Sequence, residues 1–234
     1  ANNFWPAFGN TLFFTLVTVL LETILGIGMA LVMAKDFHGR GLLRAAVLVP
    51  WAIPTAITAK LWAFLFSEQG IVNSIFHAHV AWQTDPWAAR FSIILADVWK
   101  TTPFMALLIL AGLQMIPKDL YEAARMDGAN AWQRFTRITL PLAKNSIIVA
   151  VLFRMLDALR MYDLPYIMVG PNPDSPTATL SQLVVAAIRQ DHVNAASALS
   201  TLIFLLIFLI ALCFVKSLGS KVAHQAEPVV AEEE

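Results

Sequence analysis

The chain has 234 residues, of which 58% are hydrophobic and 14% are charged, and its formal net charge at pH 7 is zero. Because so few charges cannot cover the surface of a water-soluble domain, the composition indicates an integral membrane protein. The lack of a basic excess argues against a nucleic-acid partner, and a single cysteine, Cys213, excludes an intrachain disulfide.

Five apolar stretches are long enough to cross a bilayer, because a hydrocarbon core about 30 Å thick requires roughly 20 residues of helix. In chain order they cover residues 10–34, 42–66, 91–114, 145–169 and 199–215. Pro50 and Pro54 predict a bend in the second span, since proline lacks an amide N–H and clashes with the preceding turn. The predicted fold class is therefore all-α, a polytopic membrane helix bundle over residues 1–218, followed by a disordered tail over residues 219–234.

Lysine and arginine are distributed unevenly among the predicted loops. They concentrate in loops 35–44 and 115–144 and in the C-terminal tail, whereas the loops on the opposite side contain only Arg90 and Arg189. Because cytoplasmic loops carry the positive excess, the two basic loops and the C-terminus are expected to be cytoplasmic. Five spans then place the N-terminus outside, and no signal peptide precedes the first span, so we expect a further span upstream of residue 1.

Residues 117–141 form a charged, amphipathic segment between two apolar spans, on the side predicted to be cytoplasmic. Pro117 suits the first turn of a helix, and Gly128 can end that helix and change the direction of the chain. A second short helix is expected over residues 129–137. On these grounds alone the segment is either a docking site for a soluble partner or an interfacial helix lying on lipid headgroups.

The sequence of residues 122–141, EAARMDGANAWQRFTRITLP, resembles the EAA loop of the permease subunits of binding-protein-dependent ABC importers. The resemblance implies that this loop is a coupling helix that docks in a cleft of an ATPase subunit. The positions that match the pattern and are expected to couple to the ATPase are Glu122, Ala123, Ala124, Asp127 and Gly128.

The same resemblance implies the partners and the location. They are a second homologous permease subunit, two ATPase subunits, an extracytoplasmic sugar-binding protein and the lipid bilayer of a bacterial or archaeal plasma (inner) membrane. This chain has no Walker phosphate loop, so no cofactor is expected in it, and ATP and Mg²⁺ are expected in the ATPase subunits. The chain is therefore expected to be a transport subunit and not an enzyme.

Ionisable side chains cluster in the fourth predicted span at a spacing of three residues. Such residues at membrane depth usually face a cavity or each other, and Asp157 can pair with Arg154 and with Arg160. Two interpretations stay open: a ladder of structural ion pairs, or a polar face along a translocation path that carries a sugar. The pathway candidates are Arg154, Asp157, Arg160, Tyr162 and Asp163, of which the last two lie nearer the outer end.

Ionisable residues also occur in the other predicted spans. Asp97 and Lys100 repeat the three-residue spacing, whereas Glu22 and Lys60 are expected to be isolated. An alternative function is therefore an ion-coupled secondary transporter that uses Glu22, Asp97 and Asp157 as relays. No nucleophile–base arrangement supports an intramembrane enzyme.

Two further segments resemble the carbohydrate-uptake branch of these permeases, and disaccharide permeases of the trehalose or maltose kind are the most similar. The segments are residues 162–188, YDLPYIMVGPNPDSPTATLSQLVVAAI, and residues 97–113, DVWKTTPFMALLILAGL. Residues 168–171 read Met-Val-Gly-Pro where the family often has a Thr-Gly-Gly-Gly-Pro turn, so the particular sugar stays open. Within this class, glycerol-phosphate, an amino acid or another small polar solute is the alternative substrate.

His77 and His79 form a His-x-His pair in an external loop. A metal site needs more ligands than these two side chains supply. A solvated loop is therefore the preferred interpretation, and no metal site is predicted.

Overall fold

The computed structural model describes residues 3–77 and 79–225, and within these residues every regular element is helical. The helices are α1 (Phe4–Met33), α2 (Arg40–Ala52), α3 (Thr55–Leu65), α4 (Ile71–Phe76), α5 (Pro86–Gln114), α6 (Lys118–Met126), α7 (Ala131–Arg134), α8 (Leu140–Ala158), α9 (Asp163–Met168), α10 (Leu180–Arg189) and α11 (Val193–Gln225). A π-helical turn, Phe135–Thr139, joins α7 to α8 without interruption. The predicted all-α class is confirmed.

Several helices are long and apolar enough to cross a membrane. The continuous candidates are Phe4–Met33, Pro86–Gln114, Ala131–Ala158 and Val193–Phe214, and α2 with α3 forms a fifth that is bent by 86°. These candidates confirm the prediction of a polytopic membrane helix bundle.

The second predicted span is broken at Pro54, while Pro50 remains inside α2. The first backbone hydrogen bonds of α3 are made to the Pro54 carbonyl oxygen. It accepts from the amides of Ile57 at 3.0 Å and Thr58 at 3.1 Å. Because Pro54 has no N–H of its own, it cannot extend the ladder of α2. The bend therefore follows from the second of the two prolines.

The fourth predicted span, residues 145–169, ends earlier than the apolar pattern indicates. Its helix stops at Ala158, a tight turn follows in which the Arg160 amide bonds to the Asp157 carbonyl oxygen at 3.1 Å, and Asp163 begins the separate helix α9. The prediction of one continuous ionisable helix face is therefore wrong for its outer half, since Arg160 and Asp163 do not continue the face of α8.

The C-terminal helix also differs from its predicted boundary. The sequence predicts disorder from Gly219, whereas α11 continues to Gln225. Residues 226–234 of the predicted tail lie outside the described residues.

The core is formed where α1, α5 and α8 pack together. Ala30, Ala106 and Ala150 are fully buried there. A Cβ atom at Gly112 of α5 would lie only 2.2 Å from the Ser146 hydroxyl oxygen of α8, so the two helices cross in close contact. Small residues allow such close crossings in membrane bundles, where lipid gives no hydrophobic driving force between helices.

Candidate functional site

Arg154 of α8 binds carboxylates on two other helices in the interior of the bundle. Its Nε donates to Glu22 Oε2 at 2.5 Å, and its Nη2 donates to Glu22 Oε1 at 3.0 Å and to Asp97 Oδ2. The side chains of Arg154 and Glu22 are 2% and 0% exposed. The planar guanidinium suits such two-point recognition, and it ties α8 to α1 and α5.

Glu22 is thus not isolated, and the expectation that it would be is wrong. The Thr101 hydroxyl of α5 also lies 2.6 Å from Glu22 Oε1, so the carboxylate has a second partner besides Arg154. Helical spacing predicts contacts between residues three or four apart, but Glu22 and Arg154 are 132 residues apart in the chain. Only the packing of α1 against α8 brings them together.

A cavity of about 320 Å³ opens beside this cluster. All five pathway candidates named from the sequence line it: Arg154, Asp157, Arg160, Tyr162 and Asp163. The cavity wall also contains residues of α2, α3 and α5, which the sequence pattern of the fourth span could not include. They are Trp51, Thr55, Asp97, Lys100 and Thr101. The spacing of Asp97 and Lys100 was the available signal, and it could not indicate a shared cavity.

The charged groups of the cavity wall differ in their accessibility. Arg154 is buried and bound by carboxylates, whereas the side chains of Asp157 and Arg160 are 63% and 65% exposed. Asp157 Oδ2 accepts from Arg154 Nη1 at 3.2 Å, and Asp157 Oδ1 lies 3.9 Å from Arg160 Nη2. Both predicted pairs of the fourth span are therefore present. Asp157 and Arg160 keep exposed polar atoms that a solute in the cavity can reach.

Aromatic rings stand at two sides of the cavity. Trp51 stacks on Phe104 with ring centroids 5.4 Å apart, and Tyr162 stacks on Tyr166 with centroids 4.9 Å apart. Small-molecule sites commonly combine aromatic walls with a few polar groups that fix orientation. The wall therefore offers both flat apolar faces and hydrogen-bonding groups.

The segment before α10 is attached to α1 and to the cavity wall. The Asn10 side chain donates to the Ala178 carbonyl oxygen at 3.0 Å, and the Leu180 amide donates to Thr11 Oγ1 at 3.0 Å. Thr179 caps α10 and donates from its hydroxyl to the carbonyl oxygen of the cavity residue Met161 at 2.9 Å. The turn that follows the C-terminal end of α8 is thereby fixed to this segment.

The cytoplasmic loop of the prediction folds as a helix, a sharp turn and a second helix. Gly128, with φ of +76°, follows α6, and the Ala129 and Gly128 amides bond to the carbonyl oxygens of Ala124 at 2.9 Å and Arg125 at 3.0 Å. This pattern is a Schellman ending, which requires the left-handed conformation that glycine adopts without strain. Of the five predicted coupling positions, Glu122, Ala123, Asp127 and Gly128 are exposed and Ala124 is half-buried.

The second helix of the loop is shorter than residues 129–137, since α7 ends at Arg134 and the π-helical turn follows. Asn130 and Gln133 form a capping box, with bonds of 2.9 and 2.8 Å, that starts α7. The hydroxyl oxygens of Tyr121 and Thr139 lie 3.0 Å apart and join α6 to the π-helical turn. The two helices are thus held together as one unit.

Asp36, in the first basic loop, connects to the same unit. It accepts a bond from Lys118 Nζ at 2.9 Å and is also paired with Arg40. The hydrogen bond and positive charge of Lys118, and then the charge of Arg40, lower the pKa of the Asp36 carboxyl below its ordinary value of 3.8.

Among the residues that the structure describes, no group of three His, Cys, Asp or Glu side chains could hold a metal ion.

The sequence is similar to known membrane transport components over nearly its whole length. A protein-family profile described as binding-protein-dependent transport system inner membrane component matches residues 22–224. The trehalose/maltose transport system permease protein MalF of Thermococcus litoralis is 44% identical over 221 residues, which cover 92% of this chain and 75% of that protein. The trehalose transport system permease protein SugA of Mycobacterium tuberculosis is 39% identical over 218 residues, 92% of this chain and 70% of that protein.

Solved structures agree with these relatives. A bacterial ABC transporter involved in the import of the acidic polysaccharide alginate matches with a TM-score of 0.83 and 26% identity, over 93% of this chain and 79% of that chain. The alginate transporter in complex with a periplasmic protein that carries an alginate pentasaccharide matches with a TM-score of 0.81 and 26% identity, over 92% of this chain and 77% of that chain.

Proposed function

The chain belongs to the family of binding-protein-dependent transport system inner membrane components, and we propose that it is the permease subunit of an ATP-driven importer that moves a disaccharide into the cytoplasm. The observation that carries the proposal is the 44% identity, over 92% of this chain, to a trehalose/maltose permease. Transport of this kind requires no covalent chemistry from the permease itself.

The cavity beside Arg154 is proposed as this subunit's wall of the translocation path. Its volume of about 320 Å³ falls at the lower end of the range of small-molecule sites, about 300–1,000 Å³. A sugar presents hydroxyl groups, which can bond to the exposed oxygens of Asp157 and the exposed guanidinium of Arg160, and ring faces, which can lie on Trp51 or Tyr162. A second homologous permease would close the path from the opposite side.

A second candidate substrate is an anionic sugar or a phosphorylated solute such as glycerol-phosphate. It is favoured by the exposed Arg160 in the cavity and by the structural similarity to an importer of an acidic polysaccharide. Against it, Arg154 is occupied by Glu22 and Asp97, and Arg160 lies near Asp157. The wall has no surplus of accessible cations, so a neutral disaccharide fits its charge better.

Ion-coupled transport is less consistent with the contacts of the buried carboxylates. Glu22 and Asp97 both accept hydrogen bonds from the Arg154 guanidinium, which stays protonated at all physiological pH values. A relay carboxylate must be reachable by the ion or proton that it carries, whereas Glu22 and Asp97 are buried and bound to the same guanidinium. Membership of the binding-protein-dependent transport family also argues against ion coupling. We therefore propose that ATP hydrolysis drives transport.

Residues 117–141 are proposed as the cytoplasmic loop that couples to the ATPase. Two ATPase subunits would bind ATP and Mg²⁺, and an extracytoplasmic sugar-binding protein would deliver the substrate on the opposite side, where α10 is attached to α1. Glu122, Ala123 and Asp127 are exposed on a helix whose ending is fixed by Gly128. Closure of the ATPases would then move this unit and switch the path between inward- and outward-facing states.

The test is sugar-stimulated ATP hydrolysis by the complete transporter in liposomes, with its second permease, ATPase and binding protein. We expect trehalose or maltose to stimulate hydrolysis in the wild type and Gly128→Asp to abolish the stimulation while the complex still assembles. Gly39→Asp is the matched control, since Gly39 also has a positive φ, of 88°, and an open surrounding but lies outside residues 117–141. Stimulation by acidic sugars alone would favour the second substrate class, and hydrolysis indifferent to every sugar would contradict the proposal.

A further inference from the structure

Lys100 of α5 reaches across to the break between α2 and α3. Its Nζ donates to the carbonyl oxygen of Trp51 at 3.1 Å and to that of Ile53 at 2.7 Å. Trp51 lies in the last turn of α2, and Ile53 is the extended residue that immediately precedes Pro54. Lys100 is 7% exposed. A buried ammonium group therefore sits directly on the C-terminal end of a broken helix.

The C-terminal end of a helix attracts a cation for two reasons. Its last carbonyl oxygens have no following turn of helix to donate to them, and the helix dipole places partial negative charge there. In the membrane interior, where water does not solvate these groups, an unsatisfied carbonyl is strongly unfavourable. In ion-coupled transporters, the carbonyls of broken helices bind Na⁺ at such positions. Here a side chain of the protein itself occupies the position.

The charges around Lys100 explain how an ammonium is tolerated at this depth. Two buried carboxylates, Glu22 and Asp97, face the buried guanidinium of Arg154. Lys100 adds a second positive charge, so the buried acidic and basic groups of this region balance. The hydrogen bonds that Lys100 makes in the described structure are to main-chain oxygens and not to a carboxylate.

We propose that Lys100 is a built-in counter-cation that fixes the break of α2 and α3 against α5 and thereby positions the cavity wall. Trp51 and Thr55, on either side of the break, both line the cavity. Lys100 is a positioning residue in this role, since it acts on the path through the two main-chain oxygens. The effect of Lys100 on transport rests on the proposed function. The contact between its ammonium group and the two main-chain oxygens depends only on the fold.

Lys100→Ala tests this positioning role. This change removes the Cγ-to-Nζ part of the side chain and leaves a vacant space that propylammonium matches atom for atom. The variant should therefore bind propylammonium, and bound ligand stabilises a folded protein by mass action. We expect propylammonium to raise the Tm of the Lys100→Ala complex and to leave that of the wild type unchanged, while neutral 1-propanol raises neither.

The second measurement is sugar-stimulated ATP hydrolysis of the complete transporter in nanodiscs. We expect Lys100→Ala to lower kcat by roughly 10- to 100-fold, the scale on which hydrogen bonds to a charged group act. The KM for sugar-loaded binding protein should stay unchanged, because Lys100 is buried and offers no surface for a docking protein. Propylammonium should restore kcat, and 1-propanol should not.

Two further variants control for the filled space and for the position of the lysine. Lys100→Met fills the space without a charge, so it should lose activity and gain nothing from propylammonium. Full activity of this variant would overturn the inference, and this outcome can be measured even if the alanine variant does not fold. Lys60→Ala removes the exposed lysine of α3 and should show no effect of propylammonium on Tm or kcat. An assembled Lys100→Ala complex that propylammonium neither stabilises nor reactivates would overturn the inference, as would equal rescue by 1-propanol. Failure of the wild type to respond to sugar would instead overturn the proposed function and leave the Tm test standing.

Discussion

Arg154 and Glu22, separated by 132 residues in the chain, form a two-point ion pair in the interior of the helix bundle, with N–O distances of 2.5 and 3.0 Å. The pair links α8, which follows residues 117–141, to α1. Asp97 of α5 binds the same guanidinium. One side chain therefore fixes the relative positions of the three helices that form the core.

Glu22→Gln tests how much this link contributes to stability. The change keeps the size of the side chain but leaves Arg154 with one buried carboxylate fewer, and removal of one partner of a buried pair typically costs about 3–5 kcal/mol. We expect a corresponding loss in the free energy of unfolding, measured by denaturant titration of the purified protein in detergent. The double variant Glu22→Gln, Arg154→Gln should be less destabilised than the sum of the two single variants. Simple additivity would mean that the pair contributes no specific coupling.

The parts of the fold that the sequence predicted share a local physical cause. Long apolar runs predicted α1, α5 and α11, because a span must bury about 20 residues in lipid. The bend at Pro54 followed from the missing amide N–H of proline. Gly128 was identified as the end of a helix, and its positive φ of 76° agrees.

The remaining features depend on contacts between distant segments. The apolar run from Leu164 to Val169 continues the hydropathy of α8. Pro165 is a local signal for a break, but it does not indicate that the helix ends as early as Ala158. Glu22 looked isolated because its partner lies on another helix. Lys100 was paired by spacing with Asp97, but its acceptors are main-chain oxygens of α2 and the break, which no side-chain pattern reports.

Asp157→Asn separates the two interpretations of the ionisable cluster. Asp157 is 63% exposed and contacts Arg154 at 3.2 Å, so loss of its charge should change stability by no more than roughly 1 kcal/mol, the scale of exposed pairs. As part of the path, however, it should bond sugar hydroxyls during passage. We expect a several-fold lower transport rate at saturating sugar-loaded binding protein, with Tm nearly unchanged.

The control for Asp157→Asn is Asp174→Asn, which also removes an exposed carboxylate but lies away from the cavity, in the segment that precedes α10. Its transport rate should equal that of the wild type. If Asp157→Asn instead lowered Tm strongly and transported sugar normally, the cluster would be a structural ladder and not a pathway.

Asp36 should show a depressed pKa that depends on Lys118. The hydrogen bond and charge of Lys118, and to a smaller extent the charge of Arg40, lower the pKa of the Asp36 carboxyl below 3.8. The folded protein therefore binds the carboxyl proton less tightly than the unfolded chain does. The contribution of Asp36 to stability is therefore fully present above its unfolded pKa and is lost as the pH falls through its folded pKa. Between about pH 6 and 8, where His is the usual titrating side chain, the Asp36 carboxyl stays ionised. It should therefore contribute no pH dependence to the free energy of unfolding in this range.

The measurement is a ¹³C NMR titration of the Asp36 carboxyl in the wild type and in Lys118→Met. The apparent pKa should rise toward its ordinary value in the variant, and high salt should reduce the difference because the pair is exposed. Arg134→Met removes a charge from the unit formed by α6 and α7 without touching Asp36 and should leave the titration unchanged. An identical pKa in the wild type and in Lys118→Met would mean that the ion pair does not form in solution.

Ala123→Leu tests whether α6 docks against a partner or lies on lipid. Ala123 is exposed in the isolated chain, and leucine has a helix propensity close to that of alanine, so the stability of the purified subunit should change by no more than about 0.5 kcal/mol. A partner cleft that fits closely around a small side chain would reject the larger one, whereas a lipid surface would accept the added apolar area. We therefore expect weaker co-purification of the ATPase and loss of sugar-stimulated hydrolysis. Ala45→Leu, the same change at an exposed position of α2, should retain both, and stronger membrane association of Ala123→Leu with intact hydrolysis would identify α6 as an interfacial helix.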